Sequence, residues 1–294
     1  MKVASLSDPQ RRTLQALVAE LAPLPGVLAL ALGGSHARGR ARATSDVDVG
    51  VFYDEDAPFE LAALRDLCAR LDDTHAPVVT GFGEWGPWVN GGAWLTLAGA
   101  PFDLLYRSVQ QLERALDDAR AGRWQLDFAQ QAPFGYFSAT QLGELATCIP
   151  LHDPQGIVAE LQAHARGYPE PLRAAVVQGA LWQVEFGLRC FAPKLAAQGD
   201  VVGTVGCLTR FSCYLMLALF ALNRAWWISD KSALAEIAEF EHAPHEFGAR
   251  LAAILSAPGS RAARLDASLR TIEALFAETA ALAGALYAPR YPLR

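Results

Sequence analysis

Hydrophobic positions fall into two regimes along this chain, and the change comes after Ser108. In the first regime short apolar runs alternate with turns. Leu14, Leu17, Val18 and Leu21 recur at helical spacing and predict an amphipathic helix from about Asp8 to Leu21. Val27 to Leu32 is a continuous apolar run closed by Gly33 and Gly34, which predicts a buried strand ending in a tight loop. Val47 to Tyr53 predicts a second buried strand, Phe59 to Leu71 a second amphipathic helix, and Val78 to Phe82 a further strand. Gly92 to Leu97 and Pro101 to Tyr106, parted by Ala98-Gly99-Ala100, predict a hairpin.

In the second regime the period is helical throughout. Helices are predicted over Gln110 to Ala121, Gln155 to Arg166, Leu172 to Leu195, Gly203 to Arg224, Ser232 to Glu239, His245 to Ser256 and Ala262 to Tyr287. Gln131-Ala132-Pro133-Phe134-Gly135 breaks the pattern and marks a boundary. The expected architecture is α+β: a small mixed β-sheet with flanking helices over residues 1–130, then an α-helical domain over 131–294.

Composition narrows this picture without changing it. An apolar share of 52% excludes global disorder, and 294 residues suffice for two domains. The net charge of −6 argues against a general nucleic-acid binder, because phosphate backbones are gripped by an excess of Lys and Arg. Cys68, Cys148, Cys190, Cys207 and Cys213 are odd in number and show no zinc spacing, which reads as free thiols in a reducing cytoplasm. The opening Met1 to Asp8 lacks the apolar core of a signal peptide, and no membrane association is expected. The apolar stretch Phe211 to Leu222, at about 12 residues, is too short to span a bilayer and reads as a buried helix.

Candidate chemistry gathers in the first regime. Side chains alternate along a strand, so Asp46 and Asp48 share one face, about 7 Å apart along the chain. Two such carboxylates can share a hard cation such as Mg²⁺. Just upstream, glycine at 33 and 34 lets backbone N–H groups approach a phosphate with no Cβ in the way. If Ser35 begins a short helix through His36 to Arg40, its hydroxyl and the helix N-terminus face an anion. Arg38, Arg40 and Arg42 add local positive charge next to Ser45. Asp103 is the one charged residue in the second hairpin arm before Arg107, and burying it unpaired would be costly. A metal or an attacking hydroxyl accounts for it; an edge-strand carboxylate facing water is the alternative. Glu84 is a rival acid, set among Gly81, Gly83, Gly86 and Pro87 in a loop whose Trp85 and Trp88 either stack a ring or fill the core.

Together, Gly33-Gly34-Ser35 and Ser45-Asp46-Val47-Asp48, in strand–turn–strand order about ten residues apart, resemble the signature of the DNA polymerase β-like nucleotidyltransferase superfamily. The resemblance implies a third carboxylate on a later strand, which Asp103 answers. It further implies two Mg²⁺ ions held by Asp46, Asp48 and Asp103, and an NTP held at Gly34 and Ser35 with Arg38 and Ser45 beside them. Leu219 to Lys231 resembles the helical segment of antibiotic-type nucleotidyltransferases in which an Asn, here Asn223, precedes a Lys that reaches nucleotide phosphates. If Ser229 or Asp230 caps a helix, Lys231 lies in its first turn, where a cation fits the macrodipole badly; an anionic partner explains it, and an exposed surface lysine is the alternative.

The layout as a whole is similar to aminoglycoside and lincosamide nucleotidyltransferases. That implies Mg²⁺-dependent transfer of NMP from an NTP, ATP foremost, to a hydroxyl of a small molecule such as an aminoglycoside-like antibiotic. Glu185 and Asp200 are weaker candidates for contacting a cationic acceptor. The competing expectation is a non-catalytic or regulatory module of the antitoxin type. Three carboxylates and a large second domain weigh against it.

Overall fold

The computed structural model describes residues 5–291. Along them run α1 (Asp8–Leu21), β1 (Ala29–Leu32), α2 (Gly34–Ala37), β2 (Val47–Tyr53), α3 (Leu61–Leu71), β3 (Val78–Val79), β4 (Gly92–Leu97), β5 (Ala100–Ser108) and α4 (Val109–Arg120). A short β6 (Leu126–Asp127) and β7 (Tyr136–Phe137) lead to α5 (Thr140–Thr147), β8 (Ile149–His152) and α6 (Ile157–His164). The remainder is helical: α7 (Glu170–Cys190), α8 (Ala192–Ala197), α9 (Val201–Leu222), α10 (Ala233–Ile237), α11 (Phe247–Ser256) and α12 (Ala262–Ala283).

These elements form two compact units. One contains the chain up to Asp117 together with Gln141–Arg166; the other contains Asp118–Thr140 and the chain from Gly167 onward. The units therefore do not part at a single cut after residue 130. The reason is β8, which lies in the half of the chain expected to be all helix yet pairs antiparallel with β1, Leu32 opposite Ile149 and Ala31 opposite Pro150. Proline donates nothing to a ladder, and β8 is an edge strand, where that is tolerated.

The first unit is built on a six-stranded mixed sheet in the order β3-β4-β5-β2-β1-β8, with β2 and β5 parallel and the other pairs antiparallel. One face carries Leu30, Leu32, Val47, Val49, Val51, Phe102, Leu104 and Tyr106, packed in one core with Leu14, Leu17 and Leu21 of α1 and Leu64 and Leu67 of α3. Helix α1 starts where the sequence permits it: Ser7 caps the end, its hydroxyl accepting from the Gln10 N–H while the Gln10 side chain accepts from the Ser7 N–H. The β4–β5 hairpin turns through Ala98 (φ 51°) and Gly99 (φ 74°), the left-handed pair that matches strand twist in a two-residue loop. Asp73 accepts from both turn N–H groups, at 3.2 and 2.8 Å, and fixes the turn.

In the second unit α7 and α9 pack along each other, and α12 packs on α8 and α9. The helix expected from Leu172 to Leu195 is broken at Phe191 (φ −120°, ψ −60°). Pro193 explains the break, since it has no N–H for the Arg189 carbonyl and its ring would clash with it. Helix α9 has the 22 residues expected and starts two positions earlier than Gly203. Among the described residues it alone is long and apolar enough to cross a bilayer, but 72% of its apolar window is buried inside the protein, as in a core helix.

Candidate active site

The carboxylates predicted from the sequence are positioned by the parallel pair β2 and β5. Asp48 and Asp103 are register partners, so their Cα atoms sit directly across neighbouring strands about 4.8 Å apart in the hydrogen-bonding direction. Their faces follow from the pleat. Val47, Val49 and Val51 enter the core, which leaves Asp48, Gly50 and Phe52 on the opposite side, where Leu105 and Arg107 of β5 join them around one small cavity of about 60 Å³. Asp46 immediately precedes β2 and is exposed.

The glycine turn after β1 closes against Asp48. The Gly33 N–H donates to the Asp48 carbonyl at 2.8 Å. Gly34 has φ +58°, and a Cβ built on it would lie 1.7 Å from Asp48 Oδ2. Only glycine lets that carboxylate rest against the turn, whatever the turn itself binds.

Charge is concentrated here. Burial pushes the Asp48 carboxyl up to about 7, and Asp103, Glu144 and Asp46 add to the effect as like charges; Arg107 opposes it. Arg107 pairs with Glu144 of α5 at 2.7 Å, with side chains 11% and 26% exposed. Neither residue was singled out by the sequence. The alternation Asp103, Leu105, Arg107 on one strand face could have found Arg107; a single Glu on a short helix gave no signal.

The other predicted residues are placed as follows. Helix α2 starts at Gly34 rather than Ser35 and is one turn long; Ser35 lies inside it, half-buried, its carbonyl accepting from the Arg40 N–H at 2.9 Å. Arg38 is the half-buried residue that ends α2. The Ser45 hydroxyl accepts from the Arg42 N–H at 2.9 Å and ties its own loop. Lys231 belongs to the second unit, is exposed, and lies in the turn before α10, whose N-cap is Ser232; it is therefore outside the helix rather than in its first turn. Asn223 ends α9, its amide donating to the Leu219 and His242 carbonyls and accepting from the His242 N–H.

Several candidates prove to have structural work. The Glu84 carboxylate accepts from the Gly81 N–H at 2.5 Å within its own turn. Trp85 stacks on Trp94 with ring centroids 4.4 Å apart. Asp200 caps α9 by accepting from the Gly203 N–H, and fully buried Glu185 accepts from the Tyr287 hydroxyl and the N–H groups of Arg290 and Tyr291. Both carboxylates thus have structural partners.

The donor set around Asp48 suits a divalent hard cation by chemistry, since its charged donors are carboxylates in excess over one guanidinium, with the Gln141 amide and Cys148 thiol lining the same cavity. It is not a finished cage. Among the described residues no three His, Cys, Asp or Glu side chains converge closely enough to hold a metal ion by themselves.

Residues 12–80, which include Gly34, Asp46 and Asp48, match the family model described as a nucleotidyltransferase domain. Residues 137–231, which include α5 and end on Lys231, match a domain of unknown function (DUF4037). No curated protein matches the chain. Among solved structures, the chain is similar to a nucleotidyltransferase-like protein from Exiguobacterium sibiricum 255-15, at 10% identity over 94% of this chain and 77% of that one, with a TM-score of 0.46. It is also similar to an aminoglycoside 6-adenyltransferase from Bacillus subtilis, at 11% identity over 98% and 94% of the two chains, with a TM-score of 0.32.

Proposed function

We propose that this protein, whose residues 12–80 are a nucleotidyltransferase domain of the DNA polymerase β-like superfamily, moves a nucleoside monophosphate from an NTP, ATP foremost, onto a hydroxyl of a small molecule and releases pyrophosphate. The observation that carries the reading is the side-by-side register of Asp48 and Asp103 on one sheet face, closed by a glycine turn that has no room for a Cβ.

In this reading Asp46, Asp48 and Asp103 hold Mg²⁺. The metal supplies charge stabilisation to the triphosphate and lowers the pKa of the attacking hydroxyl. Asp103 orients that hydroxyl or accepts its proton, as a positioned base must lie within hydrogen-bond reach of the group it deprotonates. Gly34 and Ser35 present backbone N–H groups and a hydroxyl to phosphate oxygens, and Arg38 and Ser45 flank them.

A small-molecule acceptor is favoured over a polynucleotide by the net charge of −6. An acceptor of the aminoglycoside kind is the class that the sequence resemblance implies. The free cysteine thiols suit a cytoplasmic protein.

The test is thermal unfolding with ATP, with and without Mg²⁺. A ligand that binds only the native state stabilises it by about 2.7 kcal/mol at a hundredfold excess over Kd. Asp46→Asn is expected to lose most of the Mg²⁺-dependent part. An unchanged Mg²⁺-dependent shift in that variant removes Asp46 from the site.

A further inference from the structure

Arg107 occupies a position that a cation-binding site should not tolerate. It follows Asp103 by four residues on β5, on the same face, and its stem crosses β2 at Gly50, where a Cβ built on the glycine would lie 3.5 Å from Arg107 Cγ. Gly50 is two residues after Asp48 on that face. Arg107 and Asp48 line one cavity, and the Arg107 side chain is 11% exposed. An uncompensated guanidinium there would compete with any metal ion for the Asp48 carboxylate, and poor solvent screening would let it do so strongly.

Glu144 meets Arg107 from the far wall of the same cavity, at 2.7 Å. It arrives on α5, which lies outside the residues matching a nucleotidyltransferase domain and inside those matching the domain of unknown function. Between α4 and α5 the chain passes through the second unit, and it returns to the first to place this carboxylate. A pair meant only to pin a helix to a sheet could sit anywhere along the α5 contact. This one sits beside Asp48.

We propose that Glu144 and Arg107 are positioning residues which set the cation affinity of the Asp48–Asp103 site: Glu144 offsets the Arg107 charge beside the carboxylates. The inference rests on the Mg²⁺-nucleotide reading of that site and adds to it a component from the adjoining family segment. It also predicts opposite signs for the two halves of one ion pair. Removing Glu144 frees a positive charge next to the metal ligands, whereas removing Arg107 takes one away.

The experiment is a Mg²⁺ titration of the thermal shift of the full chain at fixed ATP, reading the Mg²⁺ concentration at half-maximal shift. Relative to wild type, Glu144→Gln is expected to raise that midpoint about tenfold, as one unit charge acting on a divalent ion at short range does. Arg107→Gln should lower it severalfold, Arg107→Lys should keep it, and the double Arg107→Gln/Glu144→Gln variant should return toward wild type. A purely structural pair would lower the melting temperature of both single variants and shift their midpoints in one direction or not at all; either pattern overturns the inference. Should Glu144→Gln not fold, the contrast between Arg107→Gln and Arg107→Lys decides. A wild type without any Mg²⁺-dependent shift overturns the reading of the site together with the inference, while a responsive wild type with single variants that move together overturns the inference alone.

Discussion

The two faces of the central sheet are made by the same strands and obey opposite rules. On one face Val47, Val49, Val51, Phe102, Leu104 and Tyr106 are 0–1% exposed and face the leucines of α1 and α3. One residue out of phase, the other face carries Asp48, Gly50, Asp103 and Arg107. Burial of apolar surface stabilises the first face at about 25 cal/mol per Å². The second gathers like charges at a cost to the folded state, and in the proposed function a bound cation offsets that cost. A strand period of two lets nine residues of β5 serve both ends, with no residue shared between them.

The largest effect that separates the faces belongs to Asp103. Its proposed role lies in activating the acceptor rather than in gripping the nucleotide. Asp103→Asn should therefore lower turnover by about two to four powers of ten with NTP affinity nearly intact and the fold unchanged. Steady-state kinetics with an active acceptor checks this, and the loss should fall in kcat. Wild-type turnover in that variant would remove Asp103 from the chemistry.

Next to Asp103 in sequence, Leu104 should behave in the opposite way. It is fully buried, paired with Val49 and Ala93 across the two neighbouring strands. Leu104→Ala should cost about 2–5 kcal/mol of unfolding free energy by transfer and cavity terms. Turnover per folded molecule should stay close to wild type. Denaturant unfolding and active-fraction kinetics separate the two quantities, and a kcat loss comparable to that of Asp103→Asn would show that the faces are not independent.

How much of this division could be read from the chain follows the strength of the pattern. Helix α1 and strands β2 and β4 stand at the predicted residues because their apolar period is sustained and their ends carry a cap or a turn pair. With β2 and β5 in place the alternation alone put Asp48 and Asp103 away from the core. Strand β8 was not legible, because four residues with a proline inside a helical half carry no period, and only pairing with β1 makes them a strand. Helix α5 is eight residues long, too short for a periodic signal, so Glu144 stayed hidden with it. Arg107 was visible as the end of an apolar arm. Its partner was not, and a charge pair 37 positions apart is set by the tertiary fold rather than by local sequence.

The smallest effect is the one that reverses sign. Burial and neighbouring carboxylates raise the Asp48 pKa to about 7 in the folded protein, while an unfolded chain ionises it near 4. The sign follows from proton uptake: between about pH 4 and pH 7 the native state holds a proton that the unfolded state has released, so this group's contribution to stability is present at pH 4 and is lost as pH rises through 7. Asp48→Asn keeps the shape and removes the charge. In EDTA at pH 8 the variant should be more stable than wild type by about 1–3 kcal/mol, a discounted share of the full shift because local relaxation and water soften such penalties. At pH 4 the advantage should vanish. With Mg²⁺ and ATP the order should invert, since wild type gains the ligand's stabilisation and the variant does not. Thermal melts at the two pH values, with and without Mg²⁺-ATP, check all three comparisons. A variant less stable than wild type in EDTA at pH 8 would mean that Asp48 is held by favourable partners in the folded state. The polar face of the sheet would then be a second stabilising surface rather than a site kept under charge strain for a cation.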